Sequence, residues 1–120
     1  MAEYRPQTPY NVPMKLLVPE WKTVSGVRKK VFPDPETIPD TMIFFGSFRT
    51  FGGTEIERDG LYSIEDTATI ETWYRPDITS DVAVCVLQTG KIYEVIGTPE
   101  NIQMRNQYLK FKVRAVGGGA

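Results

Sequence analysis

Apolar and polar positions alternate with a period of two along most of this chain, which is the signature of half-buried β-strands. The cleanest case is Tyr108 to Val116. There Leu109, Phe111, Val113 and Ala115 share one face and Lys110, Lys112 and Arg114 the other. Thr67 to Arg75 repeats the pattern, with Ala68, Ile70, Thr72 and Tyr74 opposed to Thr69, Glu71, Trp73 and Arg75. Between these, Val82 to Leu87 is a continuous apolar run. Thr89-Gly90 turns it into Lys91 to Ile96, where Ile92 and Ile96 share a face with Glu94, and the two runs predict a hairpin. Thr98-Pro99-Glu100 has the form of an N-cap followed by proline at the first helical position, so one helical turn is predicted near 99–104.

The first half is less regular. Residues 1–13 carry Pro6, Pro9 and Pro13 with Tyr4 and Tyr10, and read as an extended arm. Met14 to Val18 is a short strand ended by Pro19. Trp21 to Phe32 is β-compatible, with Gly26 as a bulge or turn. Prolines 33, 35 and 39 exclude a helix and predict a loop. Thr41 to Phe51 holds Phe44 and Phe48 on one side and Phe45 and Phe51 on the other. That is the pattern of a central strand or of one bending around a barrel, with Gly46 as the bend. Gly52-Gly53 then opens a polar stretch that reads as a long loop to Asp66. There are no internal repeats.

The expected fold is all-β: a small antiparallel β-barrel of about five to six strands with a long polar loop and an extended N-terminal arm. The expected organisation is an arm over 1–13, one barrel domain over 14–116 with its loop at 52–66, and a loose tail over 117–120.

Composition narrows the chemistry. A chain of 120 residues with 41% hydrophobic content can bury one core without disulfides or a metal. There is no histidine, which removes the commonest general base, the Ser-His-Asp triad and most zinc sites. Cys85 is the one cysteine and lies in an apolar run, where a thiol acts as a small buried hydrophobe. Asp34, Glu36 and Asp40 lack calcium-loop spacing, and Gly52-Gly53 is not followed by a phosphate-loop Lys-Ser/Thr. Glu55, Glu57, Asp59, Glu65 and Asp66 lie in a glycine-flanked polar stretch, where solvated charge is the expectation rather than a catalytic pair. No enzyme activity, cofactor or metal is expected. No apolar stretch approaches the roughly 20 residues of a membrane span, and the N-terminus lacks a secretion signal, so a soluble protein of a reducing cytoplasm is expected.

Charge is unevenly distributed behind a net value of −1. Residues 1–33 hold six Lys/Arg against two Glu, residues 34–81 three Arg against eleven Asp/Glu, and residues 82–120 five Lys/Arg against two Glu. Either the folded surface has distinct electrical faces, or folding intermixes the segments. The strand face of Lys110, Lys112 and Arg114 beside Tyr108, joined by Arg28, Lys29 and Lys30, also suits a single-stranded nucleic acid on a small barrel. An isoelectric point near 5.5 argues against general nucleic-acid binding. Lysines alternating along a strand also simply solvate a face or guard an edge.

The run Trp73-Tyr74-Arg75-Pro76-Asp77-Ile78-Thr79, then Gly90-Lys91-Ile92-Tyr93-Glu94-Val95, then the charged strand Arg105 to Val116, resembles the head–tail joining (head-closure or stopper) family of tailed bacteriophages. The resemblance covers 67–116 and is only topological over 14–66. The proline-rich arm and the 33–40 loop have no counterpart in it. It implies a barrel protomer in a ring of about twelve copies. The ring lies between a portal-adaptor ring and tail-completion or tail proteins, closes the DNA-filled capsid and docks the tail. It implies a location in the virion neck, assembly in the host bacterial cytoplasm, and no membrane partner. The stretch Gly52, Gly53, Glu55, Glu57, Arg58, Asp59, Glu65 and Asp66 would line or gate the channel for packaged double-stranded DNA. Its acidity would keep phosphates from sticking. Arg28, Lys29, Lys30, Arg75, Lys110, Lys112 and Arg114 would face neighbouring subunits or rings.

Overall fold

The computed structural model describes residues 4–58 and 61–116, with side chains described outside 51–66. Eight strands form in chain order: β1 Val12–Leu17, β2 Glu20–Val24, β3 Val27–Val31, β4 Ile43–Arg58, β5 Leu61–Trp73, β6 Ala83–Val86, β7 Lys91–Asn101 and β8 Tyr108–Ala115. Six of them close a barrel in the order β1-β4-β5-β8-β7-β6, every neighbouring pair antiparallel, with β6 returning to β1. The expected small antiparallel barrel is therefore present, at six strands.

The period-two pattern decides which side chains fill it. Met14, Leu16, Phe44, Ala68, Ile70, Val84, Val86, Tyr93, Val95, Leu109, Phe111 and Val113 point inward and are buried together. Closure removes sheet edges, so the barrel itself offers no free edge for pairing. Thr72 is a polar residue at an inward position; it is buried, and its hydroxyl donates to the Phe45 carbonyl at 2.7 Å. Opposite it stands Gly46, and here a glycine is required by space rather than by bending. A Cβ at Gly46 would lie 2.7 Å from the Glu71 carbonyl oxygen and 2.9 Å from the Met14 methyl carbon.

The stretch read as a long polar loop is a β-hairpin, and this corrects the sequence reading. After a register shift between Thr50 and Gly53, β4 continues to Arg58 and pairs with β5 from Gly53↔Asp66 to Arg58↔Leu61. Acidic content suggested a loop, but Thr54, Ile56, Tyr62 and Ile64 give the segment strand-forming residues.

The remaining pair, β2–β3, forms a separate two-stranded ribbon. Its two-residue connection, Ser25-Gly26, has φ of 52° and 79°. Two positive values in succession are what a hairpin turn matched to strand twist needs, and glycine meets the second without strain. Of the stretch predicted as a helical turn, 99–104, only the second half takes that form. Pro99 stays in β7 at the irregularity between Ile96 and Glu100, where its missing N–H leaves no ladder bond unmade. A single 3-10 turn follows over Ile102–Met104.

Candidate functional site: two walls of the barrel and a projecting ribbon

Outward-facing positions of β1 and β6 make one wall. Leu17, Ala83 and Cys85 are buried there although they point away from the barrel interior, because Phe32, Ile38 and Ile92 cover them. The cover is the proline-rich segment, folded as two 3-10 turns, Pro35–Thr37 and Asp40–Met42. Asp34 caps the first turn by accepting from the Glu36 amide at 3.0 Å, and Thr37 donates to the Asp34 carbonyl at 2.7 Å. Lys15 ties the segment down from below. It is 8% exposed, and its ammonium donates to the Pro35 carbonyl at 3.1 Å and the Ile38 carbonyl at 3.0 Å, with Asp40 at 3.8 Å. A lysine this buried is tolerated because carbonyls accept hydrogen bonds from its ammonium. Burial pushes the Cys85 thiol up, against a smaller opposing pull from Lys15. The thiol is a packing group there, as expected.

The opposite wall, β4, β5 and β8, is covered differently. Residues 4–11 lie across it, and the latch is polar. Tyr4 and Tyr10 donate their phenols to the two carboxylate oxygens of Glu71, at 2.5 and 2.7 Å. Burial first, then the Glu71 carboxylate, push the Tyr4 hydroxyl up to about 12 and the Tyr10 hydroxyl higher still. The rings of Tyr4, Tyr10, Trp73 and Tyr108 meet with centroids 5.4 to 6.3 Å apart. Trp73 is nevertheless 59% exposed.

Beneath the arm is a cleft of about 560 Å³ lined by Tyr4, Thr8, Ser47, Arg49, Glu71 and Lys110, among others. A second hollow of about 290 Å³ shares Thr69 and Lys110 with it and adds Lys112 and Glu100. Cross-strand register builds this surface: Arg49↔Thr69↔Lys112 form one row and Ser47↔Glu71↔Lys110↔Glu100 the next. Among the described residues, no carboxylate lies within ion-pair distance of Arg49, Lys110 or Lys112.

The β2–β3 ribbon is the third feature. Nearly every residue in it is exposed. Trp21, Val24, Val27 and Val31 are 53, 49, 57 and 37% exposed. Pairing puts Trp21 with Lys30 and Thr23 with Arg28 on one face. On that face Arg28 lies 5.2 Å from the centre of the Trp21 ring. The other face carries Lys22 with Lys29 and Val24 with Val27.

The sequence-predicted contact residues are thus divided among four places. Lys110 and Lys112 share the cleft wall, while Arg28, Lys29 and Lys30 ride the ribbon. Arg114 binds Glu94 at 2.6 Å. Arg75 makes a bidentate pair with Asp77 at 3.0 and 2.8 Å, which holds the Asp77 carboxyl below the usual carboxylate range. Of the predicted channel residues, Gly52, Gly53, Glu55, Glu57, Arg58, Glu65 and Asp66 lie on the β4–β5 hairpin. Their side chains, and Asp59 entirely, fall outside the described residues. Sequence reading missed Arg49 and Glu71 as site residues. Extending the period-two pattern of Phe44 and Phe48 past Ser47 would have put Arg49 on the outer face.

No group of His, Cys, Asp and Glu among the described residues is arranged to hold a metal ion. No helix among them is long and apolar enough to cross a membrane. No family model and no curated protein matches the chain.

Proposed function

We propose that this chain is a non-enzymatic structural subunit of a tailed-phage neck, assembling into a ring that closes the filled capsid and receives the tail. One observation carries the assembly part: the β2–β3 ribbon stands clear of the barrel with both faces and both edges uncovered. An isolated two-stranded ribbon is marginal in water, and its unpaired edges and exposed Trp21, Val24, Val27 and Val31 favour burial against another chain. The motifs at 73–79 and 90–95 support the neck as the place of assembly. On this reading the acidic β4–β5 hairpin faces the channel, where its carboxylates repel the phosphates of passing DNA.

Deleting the gene from the phage that encodes it tests the reading. Filled heads should form, lose their DNA and fail to join tails, while tails assemble separately. Normal yields of tailed, infectious particles would overturn it.

A second reading, single-strand binding, is favoured by Arg49, Lys110 and Lys112 sharing the outer face of a wall on which Trp73 is also exposed. It predicts oligonucleotide binding that weakens steeply with salt. Undetectable binding at low ionic strength removes it.

A further inference from the structure

The two covered walls carry opposite charge, and the barrel's strand order sets them opposite each other. In the cycle β1-β4-β5-β8-β7-β6, the β1–β6 seam and the β5–β8 seam are three strands apart in either direction. Residues 34–40 of the cover on the first present the exposed Asp34, Glu36 and Asp40, with Lys15 buried beneath and Lys30 at the edge, 5.1 Å from the centre of the Phe32 ring. The Asp40 carboxylate is 93% exposed despite its proximity to Lys15. The second wall presents Arg49, Lys110 and Lys112, all exposed, around the cleft. Among the described side chains, two carboxylates share that wall. Glu71 accepts from two phenols, and Glu100 lies at the far rim.

We infer that the cleft wall of one copy receives the acidic 34–40 segment of a second copy, and that this contact is the repeating interface of the assembly. The inference rests on the ring reading above and names the surfaces that build it. The segment cannot reach the cleft of its own barrel, because the barrel lies between them. The contact is therefore made in trans, between unlike faces, and such head-to-tail contacts propagate into a ring or, where the rotation does not close, a filament. The acidic segment is already ordered by its caps and by Lys15, so little freedom is lost on docking. The cleft, at about 560 Å³, lies within the range of ligand clefts, about 300–1,000 Å³. Charge complementarity sets the register and speeds encounter.

Sedimentation velocity at low ionic strength tests this, since the contact lies within reach of exposed charges only when screening is weak. The full chain should self-associate, and association should fall several-fold as salt rises through about 0.1 M. Lys110→Glu with Lys112→Glu should abolish it, and so should Glu36→Lys with Asp40→Lys. All four positions are exposed, so folding is little affected. Mixing the two double variants should restore association, because the native segment of one meets the native cleft of the other and the two reversed surfaces are again opposite in charge. Carbodiimide cross-linking of the wild-type protein should join Lys110 or Lys112 to Glu36 or Asp40 of another copy. A monomeric wild-type protein at low salt, association that both reversals leave unchanged, or cross-links at other residues would each overturn the interface. All three outcomes leave the ring reading standing. That reading fails instead if virions lack the protein, whatever the protein does in solution.

Discussion

The two covered walls of the barrel differ in what holds the cover. Over β1 and β6 the proline-rich segment lies on Leu17, Ala83 and Cys85, all nearly inaccessible, and is fastened by a buried lysine to backbone carbonyls. Over β4, β5 and β8 the arm is fastened by two phenols to one half-exposed carboxylate, and a cleft remains beneath it. The first cover belongs to the hydrophobic structure and cannot leave without exposing it. The second can be lifted by breaking two hydrogen bonds and a cluster of edge-to-face rings. One cover is therefore fixed as part of the folded core, while the other can be lifted from the barrel it lies on.

The largest expected effect that sharpens this contrast is on the tight wall. Leu17→Ala should destabilise the whole domain by about 2–5 kcal/mol, because it leaves a cavity between the barrel and its cover. Chemical denaturation with a single transition is the readout. A cost below about 1 kcal/mol would show that this wall is as loose as the other. Next, Lys15→Ala should cost about 1–3 kcal/mol, since the Ile38 carbonyl loses the lysine donor and the Pro35 carbonyl keeps only the Ile38 amide. The loss should appear in the same cooperative transition.

On the arm wall, Tyr10→Phe removes one hydrogen bond and keeps the ring packing, so global stability should change by about 0.5–1.5 kcal/mol at most. Limited proteolysis within residues 4–11 should speed up well before the barrel is cut. Equal acceleration throughout the chain would break the comparison. The smallest effect is set by pH. The neutral phenols are the docked form, so their contribution is complete below the ordinary tyrosine value of 10.0 and fades as pH rises through about 12. Tyrosinate absorbance and arm proteolysis should rise together over that interval, while the barrel's circular dichroism holds.

Most of the barrel is legible in the sequence, because closure around one core forces a strict inside–outside alternation. Leu109, Phe111 and Val113 in β8, and Ala68, Ile70 and Thr72 in β5, lie inside as their spacing predicts. The acidic hairpin was obscured because charge on a strand that leaves the core looks the same in sequence as charge in a loop. The site was less legible still. Arg49, Glu71, Lys110 and Tyr4 are far apart in the chain, and only cross-strand register and the path of the arm bring them together. The buried role of Lys15 had no local signal at all. It depends on the carbonyls of a loop about twenty residues away.

The most direct test of the neck assignment is electron microscopy of mature particles carrying a labelled copy of this chain. The account predicts a ring of label between the portal vertex and the tail tube. Mature particles that lack the chain, or that carry it anywhere else, would contradict it.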